Sequence, residues 1–335
     1  MKRSRFASAM GWLALAALGG CGGHDEIPAS PSGSPSAASV TTGLASSEAP
    51  STPHSTDAPS TTTAAPAVSV GPVGADGSFA CGPLRCRRFK TATEAFDSIL
   101  ERDRPLILSI GETHAQKGSE GVASTTSRFT TDLLPRLEGR ASSLILELWV
   151  RDGSCGKKEE KVETQQKEVT KTQSDANPNE FQTLGEKSKA LGIVPFILRP
   201  TCDEYDKIIK AGDDAVMEML GMITRNMRDK ADKLFVETDK KQKGKMVVTY
   251  GGAMHNDLAP RPGREQWSFA KDLDKTASGR FVELDLIVPE FIKDTESWKG
   301  LAWYPAYDKA TMGSSAVLVE MGPRSYALVF PKTNP

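Results

Sequence analysis

The chain has 335 residues, 42 Lys and Arg against 43 Asp and Glu, and 38% hydrophobic residues. A formal net charge of −1 with no basic stripe argues against sequence-independent nucleic-acid binding, which needs clustered cations to neutralise phosphates. The size suits one large α/β domain or two small ones.

The chain opens with Lys2, Arg3 and Arg5, then an apolar run from Met10 to Leu18, then Leu18-Gly19-Gly20-Cys21. A basic start, a short apolar core and small residues before a cut predict a secretory signal peptide over 1–20. The run is too short for a membrane-spanning helix. The four residues ending at Cys21 resemble a bacterial lipobox. That resemblance implies that Cys21 is lipidated, becomes the new N-terminus and anchors an exported chain to a membrane. Gly22 rather than Asp behind it implies outer-membrane sorting in the enteric pattern. Residues 21–79 are mostly Ser, Thr, Ala, Pro and Gly, and such a stretch buries too little apolar surface to offset its ordering entropy. It reads as a disordered tether with a mean span of roughly 40 Å.

Residues 80–335 read as a single α/β domain. Thr91–Arg102 is predicted as a helix with a Thr start and a Glu in its first turn. Pro105–Ile110 is a short buried strand that stops at the turn Gly111-Glu112-Thr113-His114. Phe129, Leu133, Leu134 and Leu137 carry helical spacing within 121–137, with Pro135 set to kink or stop the helix. Ser143–Val150 is a second strand, interrupted by Glu147. Residues 156–177 are rich in Lys, Glu, Gln and Thr and read as a charged, solvated, partly helical insertion. Glu180–Leu191 is a helix and Gly192–Ile197 a third strand. Asp213–Glu237 is a long helix whose Val216, Met219, Leu220, Ile223, Met227 and Leu234 trace one apolar stripe. Lys245–Tyr250 is a fourth strand, Gln266–Lys275 a helix and Arg280–Val288 a fifth strand. Ala316–Glu320 and Ser325–Phe330 read as a C-terminal hairpin at one sheet edge. Strands alternating with helices predict a mainly parallel sheet flanked by helices on both faces. Beyond Cys21 the cysteines are Cys81, Cys86, Cys155 and Cys202. An even number in an exported chain predicts disulfides. Of the three possible pairings, loop proximity favours Cys81–Cys86 with Cys155–Cys202.

Four histidines occur, and His24 and His54 fall in the tether. The other two, His114 and His255, each follow an apolar run that ends at glycine, the mark of a strand's carboxyl end. In open α/β sheets that edge is where ligands bind. Glu147 stands inside Leu144-Ile145-Leu146-Glu147-Leu148-Trp149-Val150, where a carboxylate is costly unless paired or liganded. Parallel strands would deliver Glu112, His114, Glu147 and His255 to one crevice. Two imidazoles with carboxylates suit a metal site for Zn or Mn, with His114, Glu147 and His255 as ligands. The same residues suit acid–base chemistry without metal. Asn256 and Asp257, next to His255, could orient its ring or simply shape a turn.

At these residues the chain resembles the erythromycin-esterase/ChaN/TraB–TIKI superfamily. The matching elements are Gly111-Glu112-Thr113-His114 after the first strand, Glu147 in the next, Arg225-Asn226-Met227 on the long helix and Gly252-Ala253-Met254-His255 after a later strand. The helix motif is spaced more tightly than the family's. The likeness covers roughly residues 95–290. It implies a hydrolase-type site for an ester or amide bond of a small-molecule or peptide substrate, with Arg225 and Asn226 contacting that substrate. It also implies an alternative, a non-catalytic lipoprotein binding haem or a metal, for which Tyr205, Tyr250, Tyr304 and Tyr307 are axial candidates. A third possibility is a module that keeps the fold but not the chemistry.

Overall fold

The segments Ile107–Glu112, Met246–Gly252 and Phe281–Ile287 are buried along their whole length. Such runs belong in a sheet covered on both faces, and that is the arrangement found. A computed structural model describes residues 73–308 and 312–333. The expected signal peptide, Cys21 and nearly all of the tether lie outside the described residues.

In chain order, β1 (Ser78–Cys81) and β2 (Leu84–Phe89) form a hairpin, followed by α1 (Ala92–Asp103) and β3 (Ile107–Glu112). Next come α2 (Thr125–Arg128), β4 (Ala141–Trp149), α3 (Lys157–Thr170), α4 (Asn177–Ala190) and β5 (Val194–Leu198). The chain continues with α5 (Cys202–Lys210), α6 (Ala215–Lys241), β6 (Met246–Gly252), α7 (Ala270–Thr276), β7 (Phe281–Ile287), α8 (Glu296–Lys299), β8 (Ala316–Gly322) and β9 (Ser325–Val329). The strands form one sheet in the order β1-β2-β8-β9-β7-β3-β6-β4-β5. The six strands from β9 to β5 are mutually parallel. The antiparallel hairpin β8–β9 joins their edge, as expected, and β2 and β1 continue the sheet beyond it.

Local chemistry sets most boundaries. The Thr91 side chain caps α1 by accepting the Glu94 N–H, and Arg104 ends it in the left-handed region at φ 44°. After α2 the backbone widens to a π turn over Phe129–Leu133, then tightens to a 3-10 turn over Leu134–Leu137. Pro135, which has no N–H to offer a longer helix, sits at the start of that last turn. The stripe on α6 faces inward as read, with Met219, Leu220, Ile223, Met227 and Leu234 buried.

Two segments depart from expectation. The insertion near 156–177 is largely the helix α3, and one of its faces is buried through Glu159, Val162, Glu163 and Gln166. Its inward face is built from polar side chains, so hydropathy gave no signal. Glu159 accepts the N–H groups of Gly153 and Cys155, and Glu163 pairs with Arg151 at 3.0 Å. The second is α5, whose start is a full capping box between Thr201 and Glu204.

The sheet's two faces are packed differently. One carries a continuous core that includes Leu108, Ile110, Leu146, Leu148, Val248, Tyr250 and Leu284. The other carries two separate cores. One lies under α6 and α7 with Ile107, Ile145, Val247 and Phe281; the other lies near β8 and β9 with Ile287, Val317, Ala327 and Trp303.

Both disulfides form in the expected pairing, Cys81–Cys86 and Cys155–Cys202. The first closes 5 residues across the β1–β2 hairpin, and the second closes 47 and ties the start of α3 to the start of α5. Loop-closure entropy makes the longer loop the costlier to lose, about 4 kcal/mol against about 2. Denaturant melts of the Cys155→Ala/Cys202→Ala and Cys81→Ala/Cys86→Ala proteins should rank in that order.

Candidate functional site

Register places the carboxyl ends of the central strands together. Glu112 of β3 is level with Gly252 of β6 and Leu286 of β7, and Leu146 of β4 is level with Tyr250 of β6. Glu112 and Glu147 therefore both reach the carboxyl edge of the sheet, with His114 and His255 in the turns just beyond.

Glu112 is buried, and its Oε2 accepts the Tyr250 hydroxyl at 2.6 Å and the Thr126 hydroxyl at 2.7 Å. Its Oε1 meets Nδ1 of His114. The His114 ring packs near Phe181, which packs edge-on against Tyr250. Burial first, and then the Glu112 charge, push the Tyr250 hydroxyl well above its ordinary pKa, so it remains a proton donor to the carboxylate.

Glu147 is buried in β4, and its Oε2 accepts the Gly252 N–H at 2.6 Å. Its Oε1 stands 3.7 Å from Nε2 of His255. The other ring nitrogen, Nδ1, lies 2.8 Å from the Trp267 carbonyl oxygen and 3.0 Å from the Thr224 hydroxyl. A carbonyl can only accept, so Nδ1 carries the hydrogen, and Nε2 faces Glu147. Gly251 makes this possible. A Cβ there would sit 2.3 Å from Glu147 Oε2 and 2.7 Å from Glu147 Cβ.

The four residues form two Glu–His pairs rather than one cluster. Strand alternation puts Glu112 on the face of Leu108, Ile110 and Tyr250, whereas Glu147 shares the opposite face with Ile145, Trp149 and Gly251. Among the described residues no three His, Cys, Asp or Glu side chains are arranged to hold a metal ion. The expected ligand set of His114, Glu147 and His255 is not assembled, because the sheet separates the first from the other two. These residues as placed do not fit a resident Zn or Mn.

Arg225 and Asn226 do not touch either pair. Arg225 reaches Glu218 on its own helix at 2.8 Å, and Asn226 donates to Glu204 of α5 at 2.7 Å and to the Met222 carbonyl. Of the tyrosines considered for haem, Tyr205 and Tyr250 are buried, and Tyr304 and Tyr307 pack around Trp303.

A third group of acids was not anticipated. On the face with two cores, the seam between them runs along β3 and β7 and is polar, with buried Ser109, Glu283 and Asp285. Gly111 leaves room for it. A Cβ there would lie 2.3 Å from Asp285 Oδ1 and 2.7 Å from Asn256 Oδ1. Asn256 donates to Asp285 at 3.2 Å, and the Leu258 N–H donates to Glu283 at 2.9 Å. Burial pushes the Asp285 carboxyl up to about 8, assisted by Asp257, and holds Glu283 well above the usual carboxylate range, assisted by Asp285 and Asp257. Over this seam opens a cavity of about 340 Å³. Its walls include Glu112 and Thr113 from one histidine turn and Ala253 and Met254 from the other; the His114, Glu147 and His255 side chains stand outside it. The seam left a trace in the sequence. Phe281-Val282-Glu283-Leu284-Asp285-Leu286 alternates acids with apolar residues, a pattern that reads as a half-exposed strand until both faces are known to be covered.

Compared with known proteins, the chain matches no family model, no curated protein and no solved structure.

Two measurements follow from this geometry. Carboxyls with raised pKa are held neutral in the fold, so the folded state binds more protons than the unfolded chain. Their contribution is fully present below about pH 4 and is lost as pH rises toward about 8. Stability should fall between pH 5 and pH 8, and Asp285→Asn should flatten that fall by more than about 1 kcal/mol in paired denaturant titrations. Separately, Gly251→Ala forces Glu147 aside and should cost about 1–3 kcal/mol, whereas Gly244→Ser, where an added Cβ meets nothing but φ is 89°, tests the cost of backbone strain alone.

Proposed function

We propose that this chain is an exported, lipid-anchored hydrolase acting on an ester or amide bond of a small-molecule or peptide substrate. One observation carries the reading: the turns leading to His114 and His255 wall a single cavity at the carboxyl edge of the sheet, and each is backed by a buried Glu–His pair. In an open α/β sheet that edge is the usual seat of chemistry.

In this reading His255 is a proton acceptor through Nε2. Its tautomer is held by the Trp267 carbonyl and the Thr224 hydroxyl, and Glu147 stabilises the imidazolium that proton uptake would create. The second pair works as a relay of fixed groups, with Tyr250 and Thr126 holding Glu112, and Glu112 holding His114. Neither ring lines the cavity, so in this reading a reacting bond there is reached only when the turns shift on substrate binding.

The burial of all four side chains, each 3% exposed or less, favours a second reading. In it the pairs brace the two turns and the cavity binds its ligand without turnover, as a binding lipoprotein would. A panel of aryl esters and short peptides, assayed with the full chain, separates the two. Hydrolysis that falls about 100-fold or more in His255→Gln and His114→Asn, with melting temperatures little changed, supports the first. Full turnover by both variants refutes the assigned roles, and the lack of any hydrolysis leaves the binding reading.

A further inference from the structure

The seam acids Glu283 and Asp285 take no part in the Glu–His chemistry, yet both line the cavity, together with Asp257 from the turn after β6. Their local partners are few. Glu283 takes the Leu258 N–H and the Ser325 hydroxyl, Asp285 takes an Asn256 N–H, and Asp257 takes the Ala259 N–H. Neither Glu283 nor Asp285 has a cationic partner among the described residues; the charges acting on them are other carboxylates. A further acceptor is unmet. Asn256 is 1% exposed, and its Oδ1 has no hydrogen-bond partner. That oxygen lies beside Asp285 Oδ1 over Gly111, behind the part of the cavity wall that Asp285 forms.

The cationic side chains nearby do not answer this need. Arg261 donates to the Ser297 carbonyl and lies against Gly300, where a Cβ would come within 2.6 Å of its guanidinium. The charges acting on it are those of Arg264 and Asp257 rather than of the two inner acids. The rest of the wall sets apolar Met254, Leu258, Ile287, Leu301, Trp303 and Met321 beside Glu112, Thr113, Ser325 and a second arginine, Arg264, whose charge acts on Asp257. A hydrated metal ion would gain nothing from such walls, and no group of three metal-binding side chains is present among the described residues. A volume of about 340 Å³ belongs at the small end of ligand pockets.

We infer that this cavity binds a small organic cation, an amine or amidine on an apolar body, with its charged nitrogen seated on Asp285 and Glu283. The cation supplies the opposite charge that lets these buried acids ionise, which burial and their neighbouring carboxylates otherwise oppose. The apolar body takes the space between Trp303, Leu301 and Met254. This assignment stands whether or not the chain turns over a substrate, because it uses none of the Glu–His groups.

Calorimetric titration of the full chain at pH 8 with 4-phenylbutylamine tests it, with 4-phenylbutanol and 4-phenylbutyrate as neutral and anionic counterparts. The amine should bind at least tenfold more tightly than either. Asp285→Asn should lower amine affinity at least tenfold while its near-ultraviolet circular dichroism stays native. Leu301→Lys, which supplies a competing cation from the cavity wall, should abolish amine binding and keeps the question decidable if the first variant fails to fold. Equal binding of amine and alcohol, tighter binding of the acid, indifference to both substitutions, or exclusion of the amine by Zn²⁺ or Ca²⁺ alone would each overturn the assignment.

Discussion

Four carboxyl groups, Glu112, Glu147, Glu283 and Asp285, are buried at or near one end of a parallel sheet, and how each is held organises the rest of that end. An isolated buried carboxylate is costly enough to lose its charge or gain partners. Here the two solutions coexist. Glu112 and Glu147 each have a hydrogen-bond donor on one oxygen and a histidine facing the other. Glu283 and Asp285 lack cations and keep their protons to higher pH instead. The same strand ends thus hold acids matched to imidazoles on one hand and acids held by neutral donors alone on the other.

The backbone makes room for these groups where side chains would not fit. Gly111 and Gly251 are level in register on neighbouring strands. Gly251 yields its side-chain space to Glu147, and Gly111 yields its own to Asp285 and Asn256. Both glycines lie on the face whose hydrophobic packing is split in two. The split is what leaves a cavity. A continuous apolar layer, as on the opposite face, would have filled it. One pair of glycines therefore serves two purposes, lodging the inward acids and leaving the space above β3 and β7 open to a ligand.

Much of the fold was legible because its signals were local. The strands at 107–112 and 246–252 announced themselves as apolar runs, the strand at 281–287 by its alternation, and the hairpin at 316–329 by the turn residues Gly322 and Pro323 between two apolar runs. The β1–β2 hairpin was not read, because Arg85, Arg87 and Arg88 break its apolar content and the low-complexity stretch runs up to its start. The helix α3 hides its inward face in Glu and Gln, which look solvated until Arg151 and the backbone of Gly153 and Cys155 supply their partners.

What the sequence determined by itself was the class of the fold and the strand ends at which polar residues interrupt apolar ones: Glu112, His114, Glu147 and His255. Local periodicity and the cost of a lone carboxylate in an apolar run are enough for that. Only the tertiary structure decided which of them meet. Side chains alternate along a strand, so the side of the sheet a residue takes depends on its parity within the strand, and no property of the residue itself reports it. That parity set Glu112 and Glu147 on opposite faces. It also set Asp285 on the face of Gly111, where it meets Asn256 from a turn that looks unrelated in sequence.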